Sequence, residues 1–202
     1  MPHSKRLLDL TLALIALVFL SPAFLIVALI LKFREKGPVL YGHERIGRDG
    51  RKSRCLKFRT MAVDGDRIPT ELLDRDPEAR AEWESRRKLT RDPPITTLGR
   101  FVRKTSLDEL PQLFNILLGE MSVVGPRPIV QQECVYYGEY FRDYLSVLPG
   151  LTGPWQIGGR SAASYETRVA LDVEYARNRT FFGDLVTIAK TVRVVLIGQG
   201  AE

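Results

Sequence analysis

The feature that most constrains this chain is an uncharged apolar run of 22 residues at positions 10–31, LTLALIALVFLSPAFLIVALIL. As a helix it is long enough to cross the ~30 Å hydrocarbon core of a bilayer, so the chain is expected to touch a membrane. Pro22 lies in its middle. Proline removes a backbone donor and clashes one turn back, which predicts a kink near residues 18–22. Ser21 is placed to bond back to the carbonyl of Val18 or Leu17 and soften the break. Each arm is then about 11 residues, or roughly 16 Å, half the depth of the core. Lys5 and Arg6 precede the run and Lys32, Arg34 and Lys36 follow it, so the positive-inside tendency draws both ends to the cytoplasmic face. A re-entrant hairpin broken at Ser21-Pro22 satisfies both ends; a straight anchor with a tolerated proline is the alternative. A cleaved signal peptide fits poorly, because the apolar run resumes at Phe24, where such a segment would have ended.

The remainder of the 202 residues is long enough to bury a core of its own, and nothing in it suggests a second folded domain. At 45% hydrophobic and 27% charged residues, with a net charge of +6, it is too apolar and too evenly charged for disorder. The only cysteines, Cys55 and Cys134, are far apart and lack any CxxC or Cys/His setting, so neither a zinc site nor an oxidising compartment is indicated. The charge comes in blocks. Residues 44–59 hold seven Lys/Arg against two acids, residues 64–84 hold eight acids against three Arg, and residues 86–104 hold seven Lys/Arg against Asp92 alone. Such cations are a solvated face or ligands for phosphate, anionic lipid or nucleic acid.

Secondary structure follows from the pattern. Gly37-Pro38 predicts a turn, residues 39–41 a short strand, residues 42–54 a glycine-rich basic loop and residues 71–88 a charged helix packed on one side. Lys57-Phe58-Arg59 alternates as a strand does, which puts both cations on one face and Phe58 in the core. Leu110, Leu113, Phe114 and Leu117 recur at helical spacing until Gly119 stops them. Taking Asp108 as the N-cap places Pro111 in the first turn, where no donor is needed. Asp108 and Glu109 then sit at the positive end of a helix after a block of cations, and both are expected to be ionised at neutral pH. An ionised aspartate can attack phosphorus, and a neighbouring glutamate can hold magnesium or move protons. Adjacent acids in a first turn are also ordinary capping.

Downstream, Gly125-Pro126-Arg127-Pro128 is a stiff turn that would hold Arg127 outward for a bidentate grip on phosphate. PGLTGPWQIGGR at 149–160 is a glycine-rich loop whose Trp155 is a membrane anchor, a stacking surface or core. Residues 164–178 and 181–197 read as helices. The second carries Phe181, Leu185, Ile188, Val192 and Val195 on one face, which suits a lipid interface and packing on the domain equally.

Together, KRLLDLTLALIALVFLSP, LKFRTM, TSLDELPQLFNILLGEMSVVGPRP and PGLTGPWQIGGR resemble the bacterial sugar transferase family, the monotopic polyprenyl-phosphate phosphoglycosyl transferases, over nearly everything from Lys5 onward. The resemblance implies transfer of a sugar 1-phosphate from a UDP-sugar to undecaprenyl phosphate, with release of UMP, as the first membrane step of exopolysaccharide, capsule or O-antigen synthesis. It implies Asp108 as the nucleophile of a phosphosugar-enzyme intermediate, and Mg2+ held by Glu109 with Asp108. Arg127 would bind phosphate, with Lys57, Arg59 and Arg103 as further phosphate contacts, and Ser21 and Pro22 would be the helix break. The implied architecture is α/β and mainly helical. It comprises a re-entrant membrane helix at 1–36 and a compact cytosolic transferase domain at 37–202, with short strands and interfacial amphipathic helices. The expected setting is the cytoplasmic face of the bacterial inner membrane, with the bilayer as a partner and no role for nucleic acid. The chain lacks the extra N-terminal spans of longer members and so resembles the minimal catalytic form, and YETRVALDVEYARN is most like members that transfer glucose or galactose phosphate. A magnesium-dependent membrane phosphatase or pyrophosphatase, or a scaffold binding anionic lipid, are the competing expectations.

Overall fold

The computed structural model describes residues 3–35, 37–61, 73–78, 80, 96–158 and 164–197. The chain is mostly helical with short strands. Helix α1 (His3–Arg34) leads into a hairpin of β1 (Leu40–Ile46) and β2 (Lys52–Phe58). Then come α2 (Thr97–Lys104), a 3-10 turn (Leu107–Glu109), α3 (Gln112–Leu118) and β3 (Ser122–Val124). A 3-10 run (Gln131–Tyr140), α4 (Phe141–Leu145), β4 (Gly150–Thr152), α5 (Pro154–Gly158), α6 (Tyr165–Asn178) and α7 (Phe181–Ile197) complete the order. The strands make two separate two-stranded sheets, β1 with β2 antiparallel and β3 with β4 parallel.

Helix α1 runs as one element with Pro22 inside it, and the Ser21 hydroxyl donates to the Val18 carbonyl at 2.8 Å, the back-bond its position suggested. One stripe of α1 faces the protein along its whole length. Ala13 joins Cys55, Leu113, Ile116 and Met121 in one core, and Val27 and Leu31 join Phe58 and Val102 in another. Toward its start, the Arg6 guanidinium donates to the carbonyls of Ile116 and Leu117, occupying the last carbonyls of α3 where a cation also matches the helix dipole. The buried Lys5 reaches Asp9 at 3.3 Å and Asp184 of α7 at 2.8 Å, and Asp9 accepts from the main-chain amide of Val123. Toward its other end, Phe24 packs against Phe58 and Phe114. The opposite stripe, including Leu7, Leu14, Val18, Leu25, Leu29 and Phe33, is exposed.

A third core, Ile46, Ile129, Tyr137, Tyr144, Val169 and Val173, ties the hairpin to the C-terminal half. The Tyr144 hydroxyl donates to the Ile46 carbonyl at 2.7 Å within it.

Two sequence expectations change, and the face of the last helix, left open by its pattern, is seen to point outward. Residues 42–54, expected as a loop, form most of the hairpin, turned at Asp49 (φ 59°) and Gly50 (φ 75°), two residues suited to left-handed backbone. Helix α3 begins at Gln112 rather than after Asp108. Pro111 cannot donate, and the preceding residues close i to i−3 bonds, Glu109 to Ser106 and Leu110 to Leu107, so Asp108 and Glu109 stand in a separate 3-10 turn. Helix α7 turns polar residues inward. Asp184 and Thr187 are buried and Thr191 pairs with Thr152 at 2.7 Å, whereas Phe181, Phe182, Leu185, Val186 and Val192 are exposed. The helix expected at 71–88 lies largely outside the described residues.

Candidate active site

The acid pair is built from two directions. From one side, β2 delivers Lys57 while its neighbour Phe58 is buried against α1. From the other, the 3-10 turn is seated by Leu107 and Leu110, which pack on the same core as Val27 and Leu31. Ser106 enters this turn with a left-handed φ of 56°, an unusual conformation for a residue with a side chain. Asp108 is 8% exposed, so its carboxylate faces protein rather than open water.

Lys57 Nζ donates to Glu109 Oε1 at 2.7 Å and lies 3.6 Å from Asp108 Oδ2. The two carboxylates respond in opposite directions. Burial pushes the Asp108 carboxyl up, and the nearby charges of Lys57 and Arg103 only partly offset it. Burial acts the same way on Glu109, but the Lys57 ammonium, by charge and by direct hydrogen bond, and the Arg127 charge bring it below the usual glutamate value. Lys57 is lowered by burial and raised by both acids, ending above the usual lysine value. The upward push on Asp108 comes from its burial, which the sequence pattern does not reveal.

The other expected ligands divide. Arg103 acts electrostatically on Asp108, and its Nε donates to Thr60 Oγ1 at 2.9 Å. Arg127 is exposed and acts electrostatically on both Glu109 and Lys57. Its main chain is held where Gly125 touches β4; a Cβ on Gly125 would meet the Leu148 carbonyl oxygen at 2.4 Å. Arg59 is not brought to the acids. It follows the last residue of β2, where strand alternation no longer applies, and its Nη2 donates to the Glu35 carbonyl at 3.2 Å. Ser21 and Pro22 are exposed on α1.

Sequence reasoning missed Asn115. It is buried in α3, and its amide donates to the Arg54 carbonyl at 2.8 Å and to Glu120 Oε2, while its Oδ1 accepts from the Leu56 amide at 3.0 Å. One side chain thus pins the strand carrying Lys57 to the helix that follows the acid pair. Also missed were Glu133, Arg168 and Asp172, whose charges interact with that of Arg127. The Arg127 and Arg168 guanidinium carbons stand 5.2 and 5.3 Å from the Trp155 ring centroid.

Two carboxylates beside cations can hold a hard divalent ion. Magnesium is bound through one or two carboxylates plus substrate phosphate and water, so the donor set of Asp108 and Glu109 fits it without a third protein ligand. Among the described residues there is no group of three or more His, Cys, Asp or Glu suited to a metal.

The family described as bacterial sugar transferase matches residues 2–198. The exopolysaccharide production protein ExoY of Sinorhizobium fredii is 49% identical over 198 residues, 98% of this chain and 88% of that protein. The UDP-galactose-lipid carrier transferase of Erwinia amylovora is 49% identical over 197 residues, 98% of this chain and 41% of that one. The undecaprenyl-phosphate galactose phosphotransferase of Salmonella typhimurium is 48% identical over 198 residues, again 98% of this chain and 41% of the relative.

Proposed function

The chain belongs to the bacterial sugar transferase family and is a transferase, and we propose that it moves a hexose 1-phosphate from a UDP-sugar to undecaprenyl phosphate through a phosphosugar ester on Asp108. The observation that carries this reading is the acid pair bracketed by one lysine, Lys57 to Glu109 at 2.7 Å and to Asp108 at 3.6 Å, seated directly on α1.

The chemistry divides into two displacements at one phosphorus. An Asp108 carboxylate oxygen attacks the phosphorus that bears the sugar, the bond to the bridging oxygen breaks, and UMP leaves. A phosphate oxygen of the lipid then attacks the same phosphorus, the carboxylate leaves, and the product is an undecaprenyl diphosphosugar. Lys57 and Arg127 supply positive charge to the phosphates, and Arg103 steadies the Asp108 carboxylate. Glu109, with Asp108 alongside, would hold the magnesium, whose chemistry is to neutralise diphosphate charge in the transition state. Lys57 holds the position opposite both acids, so a cation or phosphate entering the site displaces or re-pairs that ammonium.

Helix α1 is read as re-entrant, with the catalytic domain on the cytoplasmic face of the inner membrane. The support is that α1 keeps contact with one domain over most of its length, through Arg6 on α3, Ala13 in one core and Val27 and Leu31 in another. Contacts along so much of its length favour a helix that stays on the domain's side of the bilayer. The outward apolar faces of α1 and α7 suit a lipid surface, and the lipid phosphate and the soluble donor meet at that plane.

The test incubates the full chain in detergent with magnesium, undecaprenyl phosphate and a panel of UDP-sugars while UMP is measured. The expected result is UMP release from a hexose donor that Asp108→Ala abolishes. No UMP from any donor, or undiminished release by Asp108→Ala, rejects the reading.

A further inference from the structure

Around Trp155, whose ring Arg127 and Arg168 share, the protein leaves a set of polar atoms unspent. The Arg168 side chain is 7% exposed and packs over the rings of Trp155 and Tyr165, at 5.3 and 4.7 Å from their centroids. Its Nη1 faces Glu133 at 3.7 Å, but Nε and Nη2, which form one edge of the guanidinium, are buried without a hydrogen-bond partner. Trp155 Nε1, the Tyr165 hydroxyl and Asp172 Oδ1 are buried and unpartnered as well. Asp172 lies one turn along α6 from Arg168, and its other oxygen accepts from the Tyr137 hydroxyl at 2.7 Å. Unpaired buried groups of this kind are costly, and several in one place call for a ligand.

The types of atom select the ligand. A phosphate would need donors alone, and a planar base would need a free aromatic face, whereas the Trp155 ring already carries two guanidinium groups. The unspent set mixes three donors, one hydroxyl that does both and one acceptor. A sugar, in which each hydroxyl gives and accepts, answers such a mixture.

We propose that Arg168, Trp155, Tyr165 and Asp172 form the subsite that binds the hexosyl hydroxyls of the donor and selects among hexoses. The proposal rests on the transferase reading above. With the phosphates held between the acid pair and Arg127, the sugar extends past Arg127 onto α6, and Arg168 presents its free edge to a pair of its oxygens.

The experiment measures kcat/KM of the full chain in detergent for UDP-glucose, UDP-galactose and their N-acetylated counterparts, together with inhibition by UMP. Arg168→Gln is expected to lower kcat/KM for the preferred donor by about 100-fold and to compress the preference among hexoses to within about threefold. UMP inhibition should stay within about twofold, since no nucleotide contact is lost. Trp155→Phe keeps an aromatic ring under Arg127 and removes the N–H together with the five-membered ring that carries it; it is expected to cost about fivefold on the same donor, and it carries the test if Arg168→Gln does not fold. An equal fall for every hexose, a matching loss of UMP inhibition, or a wild type that does not discriminate among hexoses overturns the subsite. A wild type that releases no UMP overturns the transferase reading itself, and the subsite with it.

Discussion

The Lys57 ammonium donates to Glu109 at 2.7 Å, closer than a purely electrostatic neighbour needs to be. It remains 3.6 Å from Asp108, so the glutamate takes the direct bond and the aspartate takes the field. This asymmetry keeps an Asp108 oxygen free of a tight partner while a cation still favours its ionised form. Replacing Lys57 by Ala removes that cation. A nucleophilic aspartate must be ionised, and burial already raises its carboxyl, so the acid limb of kcat/KM against pH should move to higher pH in Lys57→Ala. UMP release measured across the limb checks this; an unmoved limb would separate Lys57 from Asp108 ionisation.

Asn115 makes two hydrogen bonds from α3 to β2 and a third to Glu120 while almost fully buried. Asn115→Leu leaves the Leu56 amide and the Arg54 carbonyl unpaired, at a cost of about 3 kcal/mol. Thermal unfolding in detergent should show it, and activity should fall further than stability alone accounts for, because Lys57 follows Leu56.

Glycine positions should separate sharply. A Cβ on Gly99 would lie 2.1 Å from the Thr60 carbonyl oxygen, backbone that cannot step aside, whereas one on Gly50 would meet nothing within 4 Å. Gly99→Ala is expected to cost about 3 kcal/mol through overpacking. Gly50→Ala, strained only by its positive φ, is expected to cost about 1 kcal/mol. Denaturant midpoints of the two variants give the comparison.

Burial raises the Asp172 carboxyl to about 6, against opposing effects of the Tyr137 hydroxyl, Arg168 and Arg127. Between its unfolded value near 3.8 and 6, the folded protein holds a proton there that the unfolded chain has released. Stability from this group therefore falls as pH rises through that window, by at most about 1.4 kcal/mol per pH unit, and is flat above it. Asp172→Asn should remove that slope from the unfolding free energy measured from pH 4 to 7.

The topology of α1 gives a separate outcome. In a Cys134→Ser background, cysteines placed at His3 and at Gly37 should both be labelled from the same side of sealed vesicles. Labelling from opposite sides would establish a transmembrane crossing.

What could be read from the sequence was local. The Ser21 back-bond and the end of α3 at Gly119 rest on short motifs and neighbouring residues, whereas the pairing of Lys57 with Glu109, 52 residues away, was not marked in the sequence. The β1–β2 hairpin was equally local, signalled by Asp49-Gly50 between alternating segments, but the basic residues around it read as loop. Helix α7 carries an apolar periodicity that identifies a buried face without saying whether protein or lipid buries it, and its inward stripe proved polar. Asn115, Arg168 and Asp172 were hidden for a different reason. Each is a polar residue on a helix whose partners come from distant segments, and a one-dimensional pattern has no mark for such a meeting.

The most direct measurement is the mass of the protein quenched during turnover. Full-length chain mixed with a UDP-hexose and magnesium, without lipid acceptor, should gain one hexosyl phosphate, mapped by peptide fragmentation to Asp108 and lost on adding undecaprenyl phosphate. The same mass on another residue, or an unmodified chain that still releases UMP on adding the lipid, would contradict the account.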